Sequence, residues 1–283
     1  MFAPSDVAFA ATLDALGLSK ASLLASKELL DVLVRLHIAP GKVPSKALRP
    51  GSLVDSLEGS RLRVRSAPKA AGGISVAGAD VLRADIAADN GVVHVVSTVI
   101  LPEDLAAKRY ARTLPGVVPA LGFWDPLGFT DGQSINEVKR LREAEVTHAR
   151  VAMAAVAGFA LQELWHPLFP NVVGPAIIHF QQIPPPFWQA LALGIGAVEY
   201  LRARAGWVEP WKGLFRLREE YTPGNLGFDP LGLQRSYRRG FEGARARELA
   251  YGRVAMLAVV TFVLQEVLTA APVLQITRNW LPF

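Results

Sequence analysis

Two kinds of hydrophobic pattern divide the chain. Up to about residue 104 the apolar residues come in short β-branched runs separated by turns, at residues 62–64, 74–76 and 92–101, after a helical stretch near residues 21–36. The last run opens on the Asn90-Gly91 turn and is apolar on both faces, the pattern of a strand covered on both sides. Beyond residue 131 the apolar positions instead gather into three long segments, about 146–165, 187–201 and 249–268. The outer two approach the roughly 20 residues that cross a bilayer core. The middle one is shorter and extends through Ala203 and Ala205 with its arginines snorkelling. The stretch between the two patterns is punctuated by Pro115, Gly116, Pro119, Gly122, Pro126 and Gly128. The reading is therefore a multi-domain chain. An α+β domain (1–103) and a connector (104–131) precede an α-helical membrane domain (132–283) with three transmembrane helices.

Composition narrows the chemistry. With 51% apolar and 19% charged residues over 283 positions, the chain is too apolar for disorder. It has no cysteine, which excludes a disulfide scaffold, a thiolate zinc site, an iron–sulfur cluster and a cysteine nucleophile. Through Asp104 the 11 basic residues balance 11 acidic ones, so the net charge of +5 belongs to the remainder, with 19 against 14. That excess lies in clusters beside the apolar segments rather than in a stripe interleaved with aromatics, which favours a membrane over nucleic acid. Lys139, Arg140 and Arg142 precede the first segment, Arg202 and Arg204 follow the second, and residues 235–247 bring arginines before the third. The loop 167–186 has neither Lys nor Arg. All the basic flanks thus fall on one side of a three-span topology, and the N-terminal domain shares that side. No cleavable signal or transit peptide is apparent, which points to a mature or N-terminally incomplete chain.

The first and third segments are copies of one another. Glu145, His148, Arg150, Met153, Phe159, Gln162 and Glu163 recur as Glu248, Tyr251, Arg253, Met256, Phe262, Gln265 and Glu266 at an offset of 103, and Asp125-Pro126-Leu127-Gly128 recurs as Asp229-Pro230-Leu231-Gly232. Such a duplication predicts two helices crossed about a pseudo-twofold axis. Glu145 and Arg150 lie about 140° apart around their own helix, poorly placed to pair with each other. Crossing the copies solves this, bringing Glu145 to Arg253 and Glu248 to Arg150. Ala149, Ala152, Gly252 and Ala255 beside the arginines allow close backbone approach. These pairs could simply hold the helices together, but the helices carry further donors. His148 and Gln162, fourteen residues apart, share a face within about 40° and are separated by about 21 Å along the axis. One N or O donor near each leaflet suits the single axial position of a magnesium already held by four ring nitrogens, as in chlorophyll.

Two family resemblances follow. Phe2-Ala3-Pro4-Ser5-Asp6 with Ala8-Phe9, Leu36-His37 leading to Pro40-Gly41, and Asn90 to Val96 closing at Leu101-Pro102 resemble, in order and spacing, the motifs of a fasciclin-like domain over residues 1–103. That family has helices and a strand before its first box, so the module begins inside it. The resemblance implies a protein-contact module whose His37 and His94 serve the fold. Residues 115–270 resemble a light-harvesting chlorophyll-binding protein. The segments 122–128 (Gly-Phe-Trp-Asp-Pro-Leu-Gly) and 138–145 are similar to the chlorophyll a/c, fucoxanthin-type branch. The resemblance implies that Glu145 with Arg253 and Glu248 with Arg150 are interhelix pairs whose carboxylates also ligate chlorophyll. It implies ligands at His148 and Gln265, at Glu199 within Gly-Ala-Val-Glu-Tyr, and at Gln189. Gln162 joins them as the repeat counterpart of Gln265. The loops holding Asp125 and Pro126, and Asp229 and Pro230, read either as carotenoid end-group cradles or as plain turns before a helix. Tyr251 replaces the Asn or His usual in the family, and the tail after Leu268 has no His, so fewer chlorophylls than a full complement are expected.

The implied cofactors are chlorophyll a, chlorophyll c and a fucoxanthin-type or related xanthophyll. The implied location is the plastid thylakoid membrane, with the N-terminal domain on the stromal side. The implied partners are thylakoid lipid, a photosystem core and neighbouring antenna subunits, with no nucleic acid. Three functions compete: an antenna subunit, a photoprotective quencher of the same family, and a membrane-anchored scaffold. No nucleophile, phosphate loop or hydrolase metal spacing supports an enzyme.

Overall fold

The computed structural model describes residues 1–68, 73–117, 122–164, 169, 171–227 and 240–275. They divide into two compact units, one of residues 1–114 with 123–138, the other of residues 115–122 with 139–283.

The first unit is built on a six-stranded sheet in the order β1-β6-β5-β4-β3-β2, formed by β1 (Phe2–Pro4), β2 (Leu53–Asp55), β3 (Arg61–Ser66), β4 (Ile74–Val76), β5 (Ala79–Ala88) and β6 (Gly91–Val96). Only β1 and β6 run parallel, with Phe2 opposite His94. Alternation in β3 turns Leu62 and Val64 inward while Arg61, Arg63 and Arg65 face out. The sheet core joins Phe2, Leu62, Val64, Val76, Val81 and Val96 to Leu36, Leu48 and Ile100. The apolar run at 92–101 pairs as a strand only to Val96, and Val99 and Ile100 complete the core from the loop beyond.

Among the described residues, four α-helices lie wholly within this unit: α1 (Asp6–Leu16), α2 (Lys20–Ala25), α3 (Lys27–Leu36) and α4 (Glu103–Thr113). Ser5 caps α1 by accepting from the Ala8 amide, and Gly17 ends it at φ 64°. The stretch read as one helix near residues 21–36 is two, broken at Ser26, whose ψ of 86° leaves the helical region. The start of the connector is itself helical, because Ala107 and Ala111 of α4 bury against Leu114, Val138 and Phe123.

Both buried histidines of this unit serve the backbone, as the sequence implies. His37 Nδ1 donates to the Leu33 carbonyl at 2.7 Å and Nε2 accepts from the Ile100 amide at 2.9 Å. His94 stacks on Phe2, donates from Nε2 to Val43 O at 2.8 Å and accepts at Nδ1 from the Asp85 amide. Burial pushes the His37 pKa down, and its bond to Leu33 offsets this only in part.

Among the described residues, the helices beyond residue 131 are α5 (Ile135–Leu164), α6 (Ala176–Gln182), α7 (Pro185–Gly206) and α8 (Gly240–Thr269). At 1.5 Å per residue α5 and α8 are about 45 Å long and α7 about 33 Å, each long enough for a bilayer core of about 30 Å. Among the described residues one helix, α8, is both long and apolar enough to cross a membrane by length and composition. Glu137, Lys139, Arg140, Arg142, Glu143 and Glu145 lengthen α5 at its polar start, eleven residues ahead of the apolar segment. Leu191, Leu193, Ile195, Val198 and Leu201 of α7, and Val254, Leu257, Val260, Val267 and Leu268 of α8, all point away from protein.

Candidate pigment-binding site

The two copies of the repeated helix cross at their small residues. Ala149 is fully buried, Ala152, Gly252 and Ala255 are buried beside it, and a Cβ on Gly252 would stand 2.3 Å from that of Ala149. Only glycine permits this approach.

Around the crossing the charges pair between helices. Arg253 Nε donates to Glu145 Oε1 at 2.9 Å, and Arg150 Nε donates to Glu248 Oε1 at 2.6 Å. Each arginine reaches one step further in the same way. Arg253 donates to the Gly116 carbonyl and Arg150 to the Gly224 carbonyl, both at 2.7 Å. Gly116 packs on Leu249 and Gly224 on Val146, which are themselves repeat counterparts. Positive φ angles of 98° and 79° let these two glycines turn their carbonyls onto the arginines. The four charged residues and two loop carbonyls form one pseudo-twofold arrangement.

What each carboxylate has left differs. Glu248 gives one oxygen to Arg150 and keeps Oε2 for another partner. Glu145 is more fully engaged, since Arg142 takes its Oε2 at 2.8 Å, although each carboxylate oxygen has a second lone pair. On α7, Arg202 takes Oε2 of Glu199 at 2.6 Å, one turn away, leaving Oε1 outward on an exposed surface. His148 is exposed, and its Nδ1 donates to the Ala144 carbonyl at 2.7 Å. In the neutral ring that bond places the proton on Nδ1 and leaves Nε2 as the acceptor, the arrangement of a metal-ligating imidazole. Gln265 spends its amide nitrogen on the Val273 carbonyl at 3.4 Å and keeps its carbonyl oxygen. Gln162 is partly exposed and Gln189 fully so. Among the described residues no three His, Asp or Glu side chains converge on one point, so these groups are spaced single donors. Spaced single donors fit magnesium chlorins, which need one axial ligand each.

The Asp125 loop is a closed turn. Asp125 accepts from the Phe129 and Thr130 amides at 2.9 Å each and from the Thr130 hydroxyl at 2.7 Å, with Pro126 exposed at its rim. Burial raises the Asp125 pKa, but the bonds from Thr130, Phe129 and Gly128 outweigh it and hold the carboxyl below its usual value. Its counterpart, Asp229 with Pro230, lies outside the described residues.

Three carboxylates with defined work carry no role in the sequence reading. Glu266, 1% exposed, accepts from the Ala176 and Ile177 amides at 3.0 and 2.9 Å, and Glu163 accepts from the Val273 and Leu274 amides at 2.7 Å each. Each caps the two amides that follow a proline, Pro175 or Pro272. The repeat contains Glu163 and Glu266, but the prolines follow them at different spacings, twelve residues and six, so the caps were not readable from the repeat. Glu143, 3% exposed, accepts from Arg202, Tyr221 and the Gly224 amide. Burial and the Glu143 charge push the Tyr221 phenol up to about 12. Nothing local to residue 143 announces these distant partners.

The helical region has known relatives. The pattern of the Chlorophyll A-B binding protein family matches residues 110–267, and that of the Fasciclin domain matches residues 1–102. The chain is 46% identical over 171 residues to a chloroplastic fucoxanthin-chlorophyll a-c binding protein of Isochrysis galbana, covering 59% of this chain and 82% of that one. It is also 46% identical over 174 residues to light-harvesting complex stress-related protein 1 of Chlamydomonas reinhardtii, covering 59% of this chain and 68% of the relative. A caroteno-chlorophyll a-c-binding protein of Amphidinium carterae matches at 43% over 61 residues, 22% of this chain and 59% of that one. With two crossed copies of one charged helix and these relatives, the chain belongs to the chlorophyll a-b binding protein family and carries an N-terminal fasciclin domain.

Proposed function

We propose that this protein is a light-harvesting antenna subunit of the thylakoid membrane. It binds chlorophyll a, chlorophyll c and a fucoxanthin-type carotenoid, and hands excitation energy to a photosystem core through neighbouring antenna subunits. The bound pigments absorb light and pass excitation on by dipole coupling; the chain's own residues hold them at fixed separations and orientations. Names of the relatives support the cofactors, and the crossed ion pairs with their leftover oxygens carry the reading.

In this reading Glu145, Glu248 and Glu199 ligate magnesium while an arginine neutralises each carboxylate. Unpaired charge inside a span costs about 2.5–3.5 kcal/mol on insertion scales, so pairing and ligation stabilise together. His148 ligates through Nε2, Gln265, Gln162 and Gln189 through their carbonyl oxygens. The Asp125-Pro126 and Asp229-Pro230 loops hold carotenoid end groups. Helices α5, α7 and α8 cross the membrane. The apolar side chains that α7 and α8 turn away from protein address lipid and pigment. The clustering of basic residues at one set of ends supports a stromal position for residues 1–103, where the fasciclin domain contacts a protein of the photosystem assembly. Domain limits at 103 and 131 belong to the same proposal. No bond chemistry is assigned, in keeping with the family.

A photoprotective quencher is the second reading, favoured by the equal similarity to the stress-related relative. Fluorescence lifetime of the pigmented protein separates the two, nanosecond for an antenna and strongly shortened for a quencher. The reading itself is tested by refolding the full chain with chlorophylls a and c and fucoxanthin, beside Glu248→Gln. The variant is expected to lose one chlorophyll per chain and some thermal stability, and an unchanged pigment content contradicts the assignment.

A further inference from the structure

We infer that Glu143 is a positioning residue for two pigment sites at once, fixing Glu199 through Arg202 and Glu248 through Gly224 and Arg150. This rests on the proposal that Glu199 and Glu248 are chlorophyll ligands.

Along α7 only Gly206 is buried, and its ion pair Glu199–Arg202 is internal to the helix, so the pair by itself does not fix where Glu199 stands relative to α5. Arg202 supplies that reference. Its Nη1 donates to Glu143 Oε1 at 3.1 Å and to the Thr147 hydroxyl at 2.8 Å, both on α5, while Nε and Nη2 hold Glu199. A guanidinium presents its donors in a rigid fork, so anchoring one edge on α5 aims the other. Glu143 is nearly sealed from solvent, and a buried carboxylate keeps its charge only where it is well supplied with donors.

The second oxygen points to the other site. Glu143 Oε2 accepts from the Gly224 amide at 2.7 Å and from Tyr221 Oη at 3.0 Å. The Gly224 carbonyl receives Arg150, which holds Glu248. The Tyr221 ring meanwhile lies against Gly206 at the end of α7, where a Cβ would come within 2.8 Å of it. One carboxylate therefore joins α5 to α7 through Oε1, and to the loop that seats Arg150 through Oε2.

Because the oxygens divide the work, two substitutions divide the prediction. In Glu143→Gln the amide oxygen retains Gly224 and Tyr221, while the amide NH₂ opposes Arg202, donor against donor. Glu143→Ala removes both links. The test is refolding of the full chain with chlorophylls a and c and fucoxanthin, read by chlorophyll per chain and by low-temperature difference absorption spectra. Glu199→Gln and Glu248→Gln define the band belonging to each site. Glu143→Gln should reduce or shift the Glu199 band at least twofold and leave the Glu248 band, and Glu143→Ala should affect both. Adding Glu143→Gln to Glu199→Gln should change nothing further. If Glu199→Gln loses its band while Glu143→Gln retains it, or if Glu143→Gln lowers all bands in equal proportion, the positioning role is overturned and the ligand reading stands. If Glu199→Gln loses no pigment, the ligand reading itself fails and the inference falls with it.

Discussion

The sheet of the first unit and the long helices that follow use the same apolar residues in opposite ways. In the sheet Val64, Val76, Val81 and Val96 are completely buried on one another, and even its two buried histidines satisfy every ring nitrogen within the domain. On α7 and α8, Leu193, Val198, Leu201, Val254, Leu257 and Leu268 lie more than half exposed, and buried positions gather at the crossing, as Ala149 of α5 with Gly252 and Ala255. The difference teaches what each region is addressed to. The first fold buries most of its apolar side chains on itself, with Val7, Leu24 and Leu53 among the few left outside, whereas the helices meet largely through small and charged residues and turn most of their large side chains outward.

The sharpest way to break this comparison is to damage one region and watch the other. Val64→Asp places a lone charge in the sheet core and should destabilise that domain by about 4 kcal/mol or more, read as loss of strand circular dichroism and rapid proteolysis. Chlorophyll per chain should be unchanged, as it should on deletion of residues 1–103. The deletion should also loosen association with the photosystem. Pigment loss in either variant would show that the regions are not separable.

The reverse damage is next in size. Gly252→Leu forces a side chain where even a Cβ meets Ala149 at 2.3 Å, and overpacking of this kind costs about 1–3 kcal/mol. Pigment yield on refolding should fall severalfold while the sheet domain resists protease as before. A fully pigmented Gly252→Leu protein would contradict the close crossing.

Acid should act on the sheet domain through His37. Its folded pKa lies below the ordinary value of about 6.5, so the unfolded chain takes the proton first. The stability from neutral His37 is thus complete above about pH 6.5 and declines as pH falls from there toward the folded pKa, by at most about 1.4 kcal/mol per pH unit. Protonation removes the Nε2 lone pair that receives the Ile100 amide. Denaturant midpoints of the isolated residues 1–103, measured between pH 7.5 and 5 with His37→Gln alongside, should show this slope in the parent only.

The smallest effects set the two helix copies against each other. His148→Leu should remove one chlorophyll per chain, and Tyr251→His, at the matching exposed position on α8, should add one. Pigment-to-protein ratios decide both, and a native ratio in each would remove position 148 and its counterpart from the ligand set.

Much of this architecture was legible from the residues. The 103-residue offset was enough to pair Glu145 with Arg253 and Glu248 with Arg150, because the five-residue spacing disfavours Arg150 as the partner of Glu145 and a duplicated helix supplies another. The small residues at the crossing followed from the same logic. Local patterning was less informative where tertiary contact decides: α4 forms in the connector because Ala107 and Ala111 find a buried seat, and the break at Ser26 splits a helix whose apolar period runs on. Glu143 was the least readable. Its partners lie 59 to 81 residues away, on a different helix and a loop, and its charge in a polar stretch looks like any solvated face.

The central claim is that the helical region holds chlorophyll and carotenoid close enough to share excitation. Its most direct test is the fluorescence excitation spectrum of the purified, pigment-bound full chain, detected at chlorophyll a emission. The account predicts that the carotenoid and chlorophyll c bands appear in that spectrum in proportion to their absorption, and that Glu248→Gln diminishes it together with one chlorophyll. A chain that purifies and refolds without pigment, or an excitation spectrum containing chlorophyll a alone, would contradict it.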